Sequence, residues 1–415
     1  MKKKYDSYFR IAILIIAFIL CAILFSRIRI ENPGPDSVLY RGLAHNLLSG
    51  NGFIDNIRND EILPSIGHPF LLAVLELLKI DSRYFIYVSI VLCIILVFSL
   101  LLKFTNSIPL SAIGSTLYLY FCPSVFLQDG VEISLLLFGT VWIVMVICTV
   151  YYRTLSWFIS IGIYTVITIL IRPLLLPLIA LSFFLFIILF ALKSTRVRIN
   201  KDFIKNIFLF FGIVILSLGF VSMLSFVKYG DNRFVSGTYG SIGLYCAFNP
   251  YINLQEKYVS CAWNKVPDEL RDEALDPLIL KTTWQERDRL LKRKALSFIL
   301  HNPSQAVKAY FWRAGKYSWS SDRTKQRILF YLAFASIAIT GVLNKRCMKY
   351  PNHFFIVFLS FYLIVIYIGI KSLFLYAGER HLTDTIPILF QPILLLLTLV
   401  SNIKSFRIMS DLNEN

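Results

Sequence analysis

Apolar residues run through this chain in long blocks, separated by short polar or basic interruptions. A helix rising 1.5 Å per residue needs about 20 apolar residues to cross roughly 30 Å of hydrocarbon. Blocks of that kind predict ten helical spans, at about 11–29, 84–102, 108–127, 133–151, 155–171, 174–192, 206–227, 327–343, 353–372 and 385–402. Gly67 to Ile80 is also apolar, but at about 14 residues it suits an interfacial or buried helix better than a span. The expected fold class is therefore an all-α polytopic membrane protein, a bundle of transmembrane helices.

Three segments between the spans carry the polar residues. The first outer loop, 30–83, holds a helix over Ser37–Leu48 with Leu39, Leu43 and Leu47 spaced as one face. That pattern predicts a helix lying in the membrane interface, ended by Gly50 and Gly52. The second is the acidic turn Gln128-Asp129-Gly130-Val131-Glu132. The third, 228–326, reads as a small, mainly helical outer domain, with a Gly-, Ser- and Tyr-rich loop from Asn232 to Pro250 lying over a site. The chain thus divides into an N-terminal membrane module (1–227), the outer domain (228–326) and a C-terminal membrane module (327–415).

Composition agrees with this class: 57% of residues are apolar, 16% are charged, and the mean hydropathy is +0.66. Met1 to Phe25 resembles a signal peptide, with three lysines ahead of an apolar run. No small-x-small cleavage site follows it, and Leu20 before Cys21 argues against lipoprotein processing, so an uncleaved anchor is expected. The net charge of +17 acts mainly as a topology signal. With Gly67–Ile80 lying on the membrane, sixteen basic residues fall in the loops of one side, among them Lys103, Arg153, Lys201 and Lys205. The positive-inside rule then puts both termini in the cytoplasm and the loops named above outside, as in a bacterial inner membrane. The basic residues form no aromatic-interleaved patch, so nucleic acid is not an expected partner. Cys246 and Cys261 both fall outside, and either a disulfide or two free thiols is compatible with them.

Several outer residues could carry chemistry. Asp36 heads the first-loop helix, where a carboxylate could cap the helix, act as a base at the lipid–water boundary, or do both. Asp129 and Glu132 lie on the same side of the membrane; either could be functional or merely solvated. Arg172-Pro173 turns at the outer surface, and Arg380 lies in the last outer loop within Glu379-Arg380-His381. Each arginine could bind a phosphate or snorkel to headgroups. His68 could donate to a phosphate or sugar, or be structural. Tyr40, Arg41, Arg233 and Tyr245 are further candidates for touching a substrate. There is no Gly-rich phosphate loop, GxSxG or HExxH, which excludes the common soluble nucleotide-binding and hydrolase signatures.

The run Pro35-Asp36-Ser37 … Tyr40 … Ala44 … Leu47-Leu48-Ser49-Gly50-Asn51-Gly52-Phe53, followed by Gly67-His68-Pro69-Phe70-Leu71-Leu72, resembles the first outer loop of GT-C-type membrane glycosyltransferases. That class includes the protein O-mannosyltransferases and the aminoarabinose transferases of lipid A. An acidic turn, Arg172-Pro173, Asn302-Pro303 and Arg380 … Pro387 follow in the family's order. The resemblance implies a catalytic base at Asp36 and a second acidic residue at Glu132 or Asp129. It implies a polyprenyl-phosphate sugar donor, an extracytoplasmic glycan, lipid or protein acceptor, and inversion at the anomeric carbon. Arg172, Arg380 and His68 would hold the donor phosphate. A third carboxylate found in some members falls at Gly67 here and is absent, so a divalent metal is compatible with the resemblance but not indicated by it, and no other cofactor is implied.

Two other classes compete. A cell-envelope polysaccharide polymerase or ligase also combines many spans with a late outer loop, but would lean on arginine-rich outer loops. A lipid or solute transporter predicts charges at mid-span or paired broken helices in similar halves. The spans carry almost no charge at mid-depth, and the halves differ.

Overall fold

The computed structural model of the chain describes residues 35–53, 65–121, 130–171, 173, 175–181, 201–230, 232–236, 244–245, 247–249, 284–317, 324–346, 364, 389–390, 392–393 and 396–397. Among them the fold is helical, with no strand. In chain order the helices are α1 (Pro35–Leu48), α2 (Gly67–Leu77), α3 (Ser82–Thr105), α4 (Ile108–Phe121), α5 (Gly130–Tyr152) and α6 (Leu155–Ile171). Then come α7 (Lys201–Tyr229), the single turn α8 (Arg233–Ser236), α9 (Trp284–His301), α10 (Pro303–Tyr317) and α11 (Thr324–Arg346).

Among the described residues two stretches are long and apolar enough to cross a membrane, Tyr84–Thr105 of α3 and Asp202–Lys228 of α7. Helices α5, α6 and α11 coincide with predicted spans, α4 covers the start of another, and 175–181 is helical within the predicted 174–192. The predicted spans 11–29, 353–372 and 385–402 lie outside the described residues except for a few positions. The apolar stretch from Gly67 forms the short helix α2, as its length suggested.

Helices α3 to α7 and α11 share one apolar core, in which Leu101, Leu136, Ile169, Val214 and Leu329 are buried. Leu178, Ile179 and Phe390 join it, Phe390 lying edge-on to Tyr118 with ring centroids 5.0 Å apart. Several threonine hydroxyls inside this core are satisfied locally. Thr140, Thr149 and Thr168 each donate to the carbonyl one turn back, at 2.6, 2.7 and 2.8 Å. Trp142 Nε1 donates to Thr165 Oγ1 at 3.0 Å, tying α5 to α6.

Short connections fix the direction of each helix. Ser107 Oγ accepts from Leu110 N at 3.5 Å at the start of α4, and two residues join α5 to α6. Within each of the pairs α3–α4 and α5–α6 the two helices therefore run in opposite directions. Phe158 near the start of α6 packs edge-on against Phe203 near the start of α7, and the Arg153 guanidinium sits 5.0 Å over the Phe203 ring. Thus α6 and α7 run parallel. Arg153 and Lys205 therefore lie at one end of the α6–α7 pair, and the ends of α6 and α7 lie at the other.

A second, smaller core lies in the region predicted to be an outer domain. Helices α9 and α10 form a hairpin through Asn302, whose N–H donates to Phe298 O at 2.8 Å. Leu291, Ala295, Phe298, Ala306 and Ala309 pack against Tyr245, Ala247 and Phe248.

Candidate functional site

The site is built where α1, α2, the end of α6 and α8 meet. Helix α1 is described from Pro35, and proline is tolerated in the first turn of a helix because its missing N–H would have no partner there. Asp36 lies at the N-terminal end of the described helix, the place from which it could cap the helix, act as a base, or do both. That position favours a negative charge, because the unpaired amides of a helix start point outward. The helix ends in a Schellman turn. Gly50, at φ +80°, donates to Leu47 O at 3.2 Å, and Asn51 donates to Asn46 O at 2.9 Å.

This turn folds the chain back so that Phe53 lies under α1. Leu43 and Phe53 are buried together, with Leu39, Leu47, Ile66 and Phe234 around them. The leucine stripe expected to lie in the membrane interface is thus spent on protein packing. Phe53 meets Phe234 of α8 edge-on, at 5.8 Å. Helix α8 is itself held to α7 by Phe234 N donating to Ser225 Oγ at 3.2 Å. Arg233 precedes Phe234 in this turn.

Helix α2 packs along α1. At one end the His68 ring stands edge-on to Tyr40, centroids 4.8 Å apart and planes at 90°. At the other, His45 Nδ1 lies 3.1 Å from Glu76 Oε1 in an exposed pair worth little in water. His68 is 1% exposed, and burial pushes its pKa down to about 3. The imidazole is consequently neutral at physiological pH. It can give or accept a hydrogen bond, but it cannot serve as a cation for a phosphate.

Gly67 is where α2 meets the bundle. A Cβ on it would lie 2.7 Å from the Ile171 backbone nitrogen and 2.8 Å from the Leu170 carbonyl carbon. The two backbones touch because Gly67 has no side chain, which also explains why a third carboxylate cannot stand at this position. Ile171 is the residue before Arg172, so the contact brings the His68 segment beside the start of the Arg172-Pro173 turn.

The predicted site residues divide as follows. Tyr40 and His68 are brought together and buried, and Arg41 is exposed on α1. Asp36 lies one turn before Tyr40 on the same helix face. Glu132 lies in the first turn of α5, at the same end of the bundle as Ile171. Arg233 lies in α8. Tyr245 is buried in the hairpin core, where its carbonyl accepts from Asn249 Nδ2 at 3.0 Å. Asp129, Arg172 and Arg380 lie outside the described residues, as do Cys246 and Cys261. Among the described residues no group of three His, Cys, Asp or Glu side chains converges.

Arg313 is a residue that the sequence reading passed over. It is fully buried; its Nη1 donates to Ala247 O at 2.7 Å, and its guanidinium lies 4.6 Å over the Phe248 ring. It ties the loop at 247–249 to α10. A signal was present, since Ala306, Ala309 and Arg313 share one helix face.

No protein-family model, no characterised protein and no solved structure matches this chain.

Proposed function

We propose that the chain is an integral membrane glycosyltransferase of the GT-C type, moving a sugar from a polyprenyl-phosphate donor to an extracytoplasmic acceptor. The observation that carries this reading is the Tyr40–His68 contact, together with the Gly67–Ile171 backbone contact. Between them they gather the helix of Asp36, the His68 segment and the residue before Arg172 at one end of the bundle. The cations Arg153 and Lys205 lie at the opposite end, which the positive-inside rule makes cytoplasmic. The ten-span arrangement, with both termini inside, follows from the same rule.

In this mechanism Asp36 takes the proton of the acceptor hydroxyl. The hydroxyl oxygen attacks the anomeric carbon from the face opposite the phosphate. The bond from that carbon to the phosphate oxygen breaks, and its electron pair leaves with the polyprenyl phosphate. Arg172 and Arg380 balance the charge of that leaving group. His68 is neutral, so its part is to hold α2 against Tyr40. Glu132 or Asp129 is the second acidic residue. The product carries the inverted anomeric configuration.

The test is mass spectrometry of envelope glycans and glycolipids from a deletion strain complemented with wild type or with Asp36→Asn at matched expression. The expected result is loss of one defined sugar in the deletion and in Asp36→Asn, restored by wild type. Full restoration by Asp36→Asn removes the base assignment. Loss of chain length or of export, with every sugar linkage retained, replaces the transferase reading with polymerase or transporter.

A further inference from the structure

The hairpin α9–α10 leaves four large apolar residues outside its own core. Leu296, Leu300, Val307 and Phe311 are 52%, 76%, 54% and 66% exposed, while Ala295, Phe298 and Ala309 fill the core on the other side. On α9 the exposed residues Arg289, Arg293, Leu296 and Leu300 follow one another at spacings of four, three and four, which is a single helix face. On α10, Val307 and Phe311 are one turn apart with exposed Lys308 beside them. From Trp284 to Tyr317 there are eight Lys or Arg residues against two Asp or Glu. An apolar row prolonged by cations is the pattern of a helix lying in a lipid interface that carries negative charge.

Covalent reach says where such a surface would be. Six residues separate Tyr317 from Thr324, so α10 ends within roughly 25 Å of the start of α11. In α11, Leu329, Phe330 and Ala333 are buried in the bundle core, while Ile328, Tyr331 and Leu332 face outward. The hairpin is therefore tethered beside the outer apolar surface of the bundle, where that surface begins.

We propose that α9 and α10 form a lipid-docking hairpin that lies on an anionic bilayer surface. Leu296, Leu300, Val307 and Phe311 enter the interface, and Arg289, Arg293 and Lys308 meet the headgroup phosphates. The inference rests on the membrane reading of the bundle and is independent of the transfer chemistry.

The experiment is hydrogen–deuterium exchange on the full-length protein in nanodiscs of phosphatidylcholine alone, in nanodiscs containing phosphatidylglycerol, and in neutral detergent. Peptides covering 284–317 are expected to exchange ~3-fold or more slowly in phosphatidylglycerol than in either other medium. High salt should erase the difference, because exposed charges are screened. The double variant Leu300→Glu/Phe311→Glu should lose the protection. Arg289→Gln/Arg293→Gln should lose the preference for phosphatidylglycerol. Both alter exposed positions, and unchanged exchange of a 244–249 peptide checks that the hairpin core is intact. Equal exchange in the two lipids overturns the proposal. So does full protection already present in detergent, which would mean that another protein surface covers the rows.

Discussion

The His68 imidazole meets the Tyr40 ring edge-on, with centroids 4.8 Å apart, and so fixes α2 against the helix that carries Asp36. Edge-to-face ring pairs contribute about 0.5–1.5 kcal/mol beyond the area they bury. Neither residue is charged in this setting, and both are buried, so the contact acts as a geometric pin. Its partner is the Gly67–Ile171 backbone contact, one residue earlier, which fixes the same segment to the end of α6.

Burial of His68 predicts an acid sensitivity of known sign. The imidazole titrates near 6.5 when the chain is unfolded and near 3 when it is folded. Between those values the unfolded chain holds the extra proton. Stability is therefore fully present above about pH 6.5 and falls as pH drops toward 3, by ~1.4 kcal/mol per pH unit. Thermal unfolding in detergent at about pH 7.5 and 5.5 should show wild type losing ~1.4 kcal/mol more than His68→Gln over the interval. Parallel losses in the two proteins would mean that the folded imidazole accepts a proton freely.

Substituting Gly67 should separate packing from chemistry. Gly67→Ala places a methyl group 2.7 Å from the Ile171 nitrogen, which is backbone and cannot swing aside. A cost of about 1–3 kcal/mol is expected, as for other overpacked sites. Gly67→Asp should cost at least as much and should gain no activity. Melting temperature and transfer rate, measured side by side, check this. A stable, fully active Gly67→Asp would show that α2 can draw away from α6 at no cost.

Much of the bundle was legible because hydropathy reports helices directly. The expected span 155–171 and the helix Leu155–Ile171 coincide. Where they differ, as at 206–227 against Lys201–Tyr229, the helix continues through polar ends that lipid would not cover but hydrogen bonding still allows. The site was legible only as a set of residue types. Nothing local in the sequence says that His68 is buried on Tyr40, because that contact joins helices separated by a polar loop. Nor does sequence alone show what Gly67 touches. The leucine stripe of α1 was seen correctly, but hydrophobic periodicity cannot tell a lipid partner from Phe53, Ile66 and Phe234.

Asp36 lies at the N-terminal end of α1, where a helix start favours a negative charge. Asp36→Asn is nearly isosteric and keeps the helix. It should therefore leave the melting temperature within a degree or two while lowering the transfer rate by about 10²–10⁴, the usual contribution of a positioned base. Transfer assayed with a synthetic polyprenyl-phosphate sugar, beside a thermal melt, checks both halves. Loss of stability equal to the loss of activity would assign Asp36 to the fold alone.

Arg313 should resist even its conservative replacement. Its guanidinium both donates to Ala247 O at 2.7 Å and stacks 4.6 Å over Phe248, and only a flat, forked cation does both. Arg313→Lys should loosen the 247–249 segment, and Arg313→Ala should cost about 2–4 kcal/mol through the lost bond, the lost stacking and the cavity. Limited proteolysis and hydrogen exchange of the α9–α10 hairpin would read this locally. Unchanged protection in Arg313→Lys would show that charge alone suffices.

The end of α2 stores backbone strain that can be released without touching the site. Lys79 has φ +55° and closes a Schellman turn, donating to Glu76 O at 3.0 Å while Ile80 donates to Leu75 O at 2.8 Å. Gly50 fills the same place at the end of α1, where glycine adopts positive φ without a Cβ clash. A lysine held there costs about 1–2 kcal/mol, whereas glycine adds about 0.4–1 kcal/mol of unfolded-chain entropy. The balance predicts that Lys79→Gly stabilises by roughly 0.5 kcal/mol. A branched side chain is worst suited to this conformation, so Lys79→Val should destabilise by more than about 1 kcal/mol. Lys79 is exposed, and Lys79→Gln should change little, which separates backbone strain from loss of charge. All three should transfer sugar at the wild-type rate. Melting temperatures ordered Gly above Lys, Lys equal to Gln, and Val lowest would support the strain account; Gln falling with Val would instead assign the effect to the lysine charge.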